Sequence, residues 1–307
     1  MGTMRDAFFD KLYELGRKDP NVILVDADMG APSLDKFRRD MPAQFVNVGI
    51  AEQNAISVAA GLALGGKIPF AYAIAPFITL RCYEQLKVNV ASMKVPVTAV
   101  GVGAGFSYED SGPTHHTTED IAIMRALPNM TIMNCTDNTM ASKCAEIAYN
   151  FNGPLYVRLD REPLPDIYNK NETFKDGLTQ LRKGKDVCII STGNMVHKAL
   201  DVADLLKKKS ITASVIDLYR LKPVNYEKLI SFIKQCKKVV TLEEHLINGG
   251  IGSIVAEIMV DNNVTIPLKR IAIPDKYCYT YGGRESLRRS IGLDTTSVEN
   301  TITSYVK

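Results

Sequence analysis

One carboxylate, Glu52, stands at the mouth of a helix just after an apolar strand, in the run Phe45-Val46-Asn47-Val48-Gly49-Ile50-Ala51-Glu52-Gln53-Asn54. The helix expected over 51–64 is built mostly of Ala, Gly and short aliphatics. Small side chains let another backbone approach closely, so this element suits a deep or intersubunit position. An acid there is costly to bury unless something specific meets it. A plainer role is also open to it, since a Glu in the first turn interacts favourably with the positive end of the helix dipole. Chemistry-bearing side chains recur in four further segments: Asp26-Ala27-Asp28-Met29, Tyr72-Ala73-Ile74-Ala75-Pro76-Phe77, Asp110-Ser111-Gly112-Pro113-Thr114-His115-His116 and Tyr156-Val157-Arg158-Leu159-Asp160-Arg161. They offer carboxylates, arginines and a histidine able to move protons near neutral pH.

Each of these segments ends or follows an expected parallel strand, so all can converge on one rim of a sheet. Apolar, β-branched runs at 22–25, 68–72, 95–100, 131–133 and 155–157 alternate with helical patterns near 51–64, 77–92, 119–125 and 138–149. This alternation predicts crossover helices over a mainly parallel sheet. A Pro- and charge-bearing passage from Arg161 to Lys185 breaks the rhythm and reads as a linker. Strands expected at 187–190, 213–216, 239–242 and 267–271 then alternate with helices again. The fold class is therefore α/β, with two domains that each carry a mainly parallel sheet with helices on both faces.

The 307 residues suffice for two domains with real cores, and 46% apolar against 23% charged residues is ordinary globular composition. A net charge of +3 with no long basic stripe argues against nucleic acid. Lys207-Lys208-Lys209 reads as a solvated helix tip. Six scattered cysteines without a C-x-x-C pair fit neither a zinc site nor a disulfide framework, and suggest a reducing cytoplasm. The first 19 residues read as an amphipathic helix and not a signal peptide. No apolar run approaches the roughly 20 residues that span a bilayer, so a soluble cytoplasmic protein is expected. Two glycine patterns fail as nucleotide sites. Gly61-x-x-x-x-Gly66-Lys67 puts Ile68 where a P-loop needs Ser or Thr, and Gly101-Val102-Gly103-Ala104-Gly105-Phe106 ends in Phe and is followed by a loop. The second still marks a backbone that something approaches closely.

G-I-x-E-Q-N, G-P-T-H, M-R-A-L-P-N-M and R-L-x-R, followed by Glu243-Glu244-His245 and Gly249-Gly250-Ile251-Gly252, resemble in order and spacing the carboxyl-terminal half of transketolase. The resemblance covers nearly the whole chain. It divides it into a pyrimidine-binding domain (1–162), a linker (163–185) and a transketolase C-terminal-like domain (186–307). It implies thiamine diphosphate as cofactor, with Glu52 as the carboxylate that bonds the pyrimidine ring nitrogen and favours the imino tautomer. Phe77 matches an aromatic that stacks on that ring. The family's other ring positions are Ile74 and Leu80 here, which makes the wall more aliphatic. Met29 matches an apolar wedge, with Asp28 beside it. His115 matches the histidine that handles protons and hydroxyls of the sugar, and Arg161 an arginine that clamps its phosphate. Asp110 is assigned to the substrate, and Arg81 could face the same pocket as in deoxyxylulose-phosphate synthases. Glu52 and His115 are the catalytic candidates. His116 stands where Gln is more usual and is assigned only hydrogen bonding.

Two departures concern the acceptor end of the pocket. Many transketolases carry a phosphate-binding histidine where Gly101 to Gly105 stand here, and the acidic pair Glu109-Asp110 lies one residue upstream of its usual place. The G-D-G signature that holds the diphosphate and its Mg²⁺ or Ca²⁺ is absent, so no metal ligand is assigned to this chain. The expected partner is an amino-terminal transketolase subunit carrying that motif, in an α₂β₂ heterotetramer acting on sugars or sugar phosphates. Alternatives are the β subunit of a 2-oxoacid dehydrogenase decarboxylase, a deoxyxylulose-phosphate-synthase-like half, and a non-catalytic subunit.

Overall fold

The computed structural model describes residues 2–307, which divide into two compact units. The first comprises the residues up to Ala104 together with Ile123–Thr173; the second comprises Gly105–Ala122 and Phe174–Lys307.

In the first unit, β1 (Val22–Asp26), β2 (Phe45–Asn47), β3 (Ile68–Ile74), β4 (Thr98–Val102), β5 (Thr131–Asn134) and β6 (Leu155–Leu159) form one parallel sheet, ordered β5-β6-β4-β3-β1-β2. Its central strands are buried on both faces, as the continuous apolar runs require. The helices along this stretch are α1 (Met4–Gly16), α2 (Pro32–Asp40), α3 (Glu52–Leu64), α4 (Ala75–Thr79), α5 (Tyr83–Gln85), α6 (Asp120–Ala126) and α7 (Asn138–Tyr149). Thr3 caps α1 by accepting from the Asp6 amide, and the helix buries Met4, Phe8, Phe9 and Leu12 on one stripe. Phe8 meets Phe70 edge-on, and Phe9 meets Tyr72 at 4.6 Å between centroids. The helix expected over 77–92 is instead broken. After α4 the Arg81 amide reaches back five residues to the Pro76 carbonyl, and a π-helical turn occupies Leu86–Ala91. Each wide turn inserts a residue, and the first re-aims Arg81.

The second unit carries β7 (Leu178–Arg182), β8 (Val187–Ser191), β9 (Ala213–Leu218), a short β10 (Arg220–Lys222), β11 (Lys238–Leu246) and β12 (Leu268–Ile273). Its sheet runs β12-β11-β8-β9-β7, parallel except for β7 against β9. Its helices are α8 (Met195–Lys208), α9 (Tyr226–Ile233), α10 (Ile251–Asp261), α11 (Arg284–Ser290) and α12 (Thr295–Val306). The lysines at 207 and 208 do end α8. β7 falls inside the passage read as linker. It is a half-buried edge strand whose order comes from pairing with β9, so it lacks the apolar run that marks an interior strand.

Residues 105–122, within the span expected to form the first domain, pack with the second unit. Gly105 and Thr117 exchange backbone hydrogen bonds, and Phe106 is a core residue there among Val187, Leu242 and Ile273. The close backbone approach expected at Gly101–Gly105 is thereby explained. Gly105 has φ +59°, and a Cβ on it would lie 2.2 Å from the Glu244 carboxylate, which accepts the Phe106 N–H at 2.6 Å. Neighbouring Glu243 turns the other way and accepts the Ile251 and Gly252 amides at 2.6 and 2.8 Å, capping α10. All six cysteines are buried, and among the described residues none is joined in a disulfide. Among the described residues, no helix is long and apolar enough to cross a membrane.

Candidate active site

Parallel pairing in register brings the strand ends of the first unit to one rim. Asp26 sits opposite Asn47 and Tyr72, Ile74 opposite Val102, and Val102 opposite Leu159. The expected residues of this unit follow at that rim: Asp28 and Met29 after β1, Glu52 five residues past β2, Ile74 and Phe77 around the end of β3, and Arg161 after β6. Asp28 is exposed with φ +59°, and its carboxylate accepts from the Asn47 side-chain amide at 3.0 Å. Asn47 in turn accepts the Gly49 amide at 2.8 Å, which shapes the entry to α3. Met29 and Phe77 are half-buried, Ile74 is buried, and Leu80 and Arg161 are exposed.

Glu52 is the first residue of α3 and only 4% exposed. Its Oε2 accepts from Arg81 Nη1 at 2.7 Å, and the Arg81 guanidinium lies 4.1 Å over the Phe77 ring. The three side chains form a sandwich of carboxylate, flat cation and aromatic face. The motifs assign Arg81 to the substrate without joining it to Glu52; the five-residue backbone reach after Pro76 is what brings the two together.

Asp26 stands out in the sequence only as part of its segment, yet it is fully buried, and both of its oxygens lie 3.2 Å from the Met29 amide. Burial pushes its pKa up to about 6 against the pull of the Met29 N–H and of Arg38, with the Asp28 charge adding to the rise. The folded value lies above the ordinary 3.8, so the native state binds this proton more tightly than the unfolded chain. That stabilisation is complete below the ordinary value and is lost as pH climbs through the raised one. Asp26→Asn should therefore gain stability relative to wild type as pH rises from about 4 to about 6. Thermal melts across that window check it; a difference in Tm that stays flat with pH would show that Asp26 does not titrate there.

In the second unit, the Gly112–Thr114 turn presents the two histidines. Gly112 has φ +68°, and its carbonyl accepts the amides of both His115 and His116. The Thr114 hydroxyl gives its proton to the Ser111 carbonyl at 3.1 Å and lies 2.9 Å from His115 Nδ1. A hydrogen on Nδ1 that donates to this hydroxyl satisfies both contacts, and that tautomer leaves Nε2 as the basic nitrogen. Asp110 is exposed on the same loop. His116 is 4% exposed and packs edge-on to Phe106 at 4.9 Å. Burial lowers its pKa despite the attraction of Glu244 and Glu109, so it is neutral. Its Nε2 is sealed from solvent and makes no hydrogen bond among the described residues. The sequence shows that a histidine replaces the usual Gln here, but not that it is buried. Among the described residues, no group of three His, Cys, Asp or Glu side chains could hold a metal ion.

The comparisons agree with this architecture. Residues 1–166 match the model of the transketolase pyrimidine-binding domain, and residues 177–298 that of the transketolase C-terminal domain. An apulose-4-phosphate transketolase subunit of Phocaeicola vulgatus is 36% identical, covering 100% of this chain and 98% of the relative. A putative transketolase C-terminal section of Methanocaldococcus jannaschii is 37% identical, covering 99% and 96%. A solved split-gene transketolase, described as an inactive β4 tetramer, superposes with a TM-score of 0.90 at 34% identity over 99% of this chain and 98% of that one. This chain belongs to the transketolase family: it is built of the family's pyrimidine-binding and C-terminal domains, and it matches end to end the separate subunit that carries them in split transketolases.

Proposed function

We propose that this chain is the C-terminal subunit of a thiamine-diphosphate-dependent transketolase, moving a two-carbon ketol unit from a ketose or ketose phosphate to an aldose. The observation that carries this reading is the buried Glu52 carboxylate beside the Phe77 ring, bridged by a flat cation that bonds the one and stacks on the other. A flat nitrogen heterocycle with an in-plane donor fits the same two groups, so the residues present suit the cofactor's aminopyrimidine. Bound thiamine diphosphate would supply a nucleophilic carbon for ketose carbonyls and a sink for negative charge.

The chain's own groups each take a part in that chemistry. Glu52 holds a proton at the pyrimidine ring nitrogen, in a desolvated position that strengthens the bond. Phe77 and Ile74 wall the ring and exclude water, with Met29 and Asp28 at the neighbouring strand end. His115 takes and returns a sugar hydroxyl proton at Nε2, and Asp110 accepts from a hydroxyl. Arg161 holds the distal phosphate with its fork. The partner is an amino-terminal subunit that supplies the diphosphate and metal half, Mg²⁺ or Ca²⁺, in an α₂β₂ heterotetramer within the cytoplasm. The full-length match to separately encoded subunits supports this arrangement.

Mixing this chain with its partner subunit, thiamine diphosphate and Mg²⁺ should restore two-carbon transfer from a ketose phosphate, followed as aldose consumed. The chain alone should give none. Full transfer by the chain alone would overturn the split arrangement, and release of CO₂ from pyruvate in place of ketose cleavage would assign the subunit to oxoacid or deoxyxylulose-phosphate chemistry.

A further inference from the structure

The Glu52–Arg81 pair is unequal in a way that matters for binding. Glu52 is 4% exposed, whereas the Arg81 side chain is 42% exposed. A carboxylate in that position needs a partner at all times, because a lone buried charge is strongly unfavourable. A half-solvated arginine can leave for water at little cost. The pair is thus stable while nothing else is bound, and only one member is able to move.

Arg81 also makes the two contacts that the aminopyrimidine needs. Its N–H groups lie in the guanidinium plane and one reaches Glu52 Oε2 at 2.7 Å, while its central carbon lies 4.1 Å over the Phe77 ring. A ring cannot stack on the same face of Phe77 and take the same oxygen while the guanidinium is there. The backbone at Arg81 is anchored by its five-residue bond to Pro76 and by the Gln53 side-chain amide, which donates to the Arg81 carbonyl at 3.2 Å. Only the side chain is free to swing.

We propose that the Arg81 guanidinium holds the pyrimidine's place on Glu52 and Phe77 and is exchanged for the ring when the cofactor binds. Arg81 is then a positioning residue: it keeps Glu52 paired before loading and sets the affinity for the cofactor by competing with it. This rests on the proposed role of Glu52 as the acid that meets the cofactor.

The test is isothermal titration of thiamine diphosphate, with Mg²⁺, into the assembled two-subunit enzyme. Arg81→Met keeps the stem but removes the competitor, and should tighten Kd by about tenfold or more, or about 1.4 kcal/mol. Made on a Glu52→Ala background, which removes the oxygen that both groups compete for, the same change should alter Kd by no more than about twofold. Arg81→Lys keeps a charge near Glu52 but gives up the flat face on Phe77; it should also tighten Kd, and it serves where the Met variant does not fold. A residue that only supported the fold would weaken binding when replaced. Unchanged or weaker binding by the Met and Lys variants of an enzyme whose wild type binds the cofactor would overturn the exchange. Failure of the wild-type complex to bind thiamine diphosphate at all would sink the role of Glu52 and this inference with it.

Discussion

Glu52→Gln is expected to lower kcat of the assembled enzyme by about 10²–10⁴-fold, the range that a positioned acid–base group contributes. The substitution is nearly isosteric. The carboxamide oxygen it introduces can still accept from Arg81, so the α3 entry and the Phe77 stack should survive, and Tm should move little. What disappears is the group able to hold or release a proton at the cofactor's ring nitrogen. The competing account is that Glu52 serves only the helix dipole at the first turn of α3, which is worth at most about 2 kcal/mol for a group out of solvent. The two accounts separate cleanly. A purely structural Glu52 gives a variant that melts lower or loses solubility while its folded fraction turns over at the wild-type rate. A catalytic one gives a well-folded complex with almost no turnover.

The sheet of the first unit was legible because interior parallel strands must be apolar on both faces, and such runs stand out. Val22–Asp26, Thr131–Asn134 and Leu155–Leu159 fall within two residues of the expectation, and α7 lies at 138–149 as its period indicated. The rim where Asp28, Met29, Ile74, Phe77 and Arg161 follow the strand ends was legible from parallel pairing, whereas the 110–116 segment, expected on the same rim, belongs to the second unit. The helix over 77–92 was not legible, because its periodicity remains apolar through the π-helical turn, and the five-residue reach after Pro76 is a backbone event with no side-chain signature. The same local event joins Arg81 to Glu52 across 29 residues, which is why the motifs named both residues and missed the pair.

Gly105 shows a different limit. The glycines announced that something must come close, but the intruder, Glu244, lies 138 residues from the Phe106 amide it accepts. No local pattern specifies such a contact. Its sequence trace was the Glu243-Glu244-His245 run, read as a family motif without an assignment for either carboxylate. The structure gives the two carboxylates opposite tasks, one capping α10 and the other closing a buried ionic cluster.

That cluster should dominate the stability of the second unit. Glu244 Oε1 accepts from Arg284 Nε and Nη2 at 2.9 and 2.8 Å, its Oε2 accepts from Arg288, and Glu285 and Lys198 extend the chain of charges. Glu244, Arg284 and Arg288 are each less than 10% exposed. Glu244→Gln removes the charge that both buried guanidiniums face, a loss expected to cost about 3–5 kcal/mol. At about 2–4 °C per kcal/mol, Tm should fall by roughly 6–20 °C. Burial alone would raise the Glu244 pKa, but the Arg284 and Arg288 charges, with the Phe106 amide, hold it below the ordinary 4.5. A lowered carboxylate contributes stability above its unfolded value and loses it as pH falls through the folded one. The wild type should therefore lose more stability than Glu244→Gln on acidification below about pH 4.5, and the two melting curves should converge. Replacing Glu244, Arg284 and Arg288 together by Leu, Met and Met should recover most of the loss, since removing a whole buried ionic group is far less costly than orphaning part of it. If the triple variant melts as low as the single one, the ion pairs are not what holds this region, and the hydrogen bond from Phe106 to Glu244 carries the stability in their place.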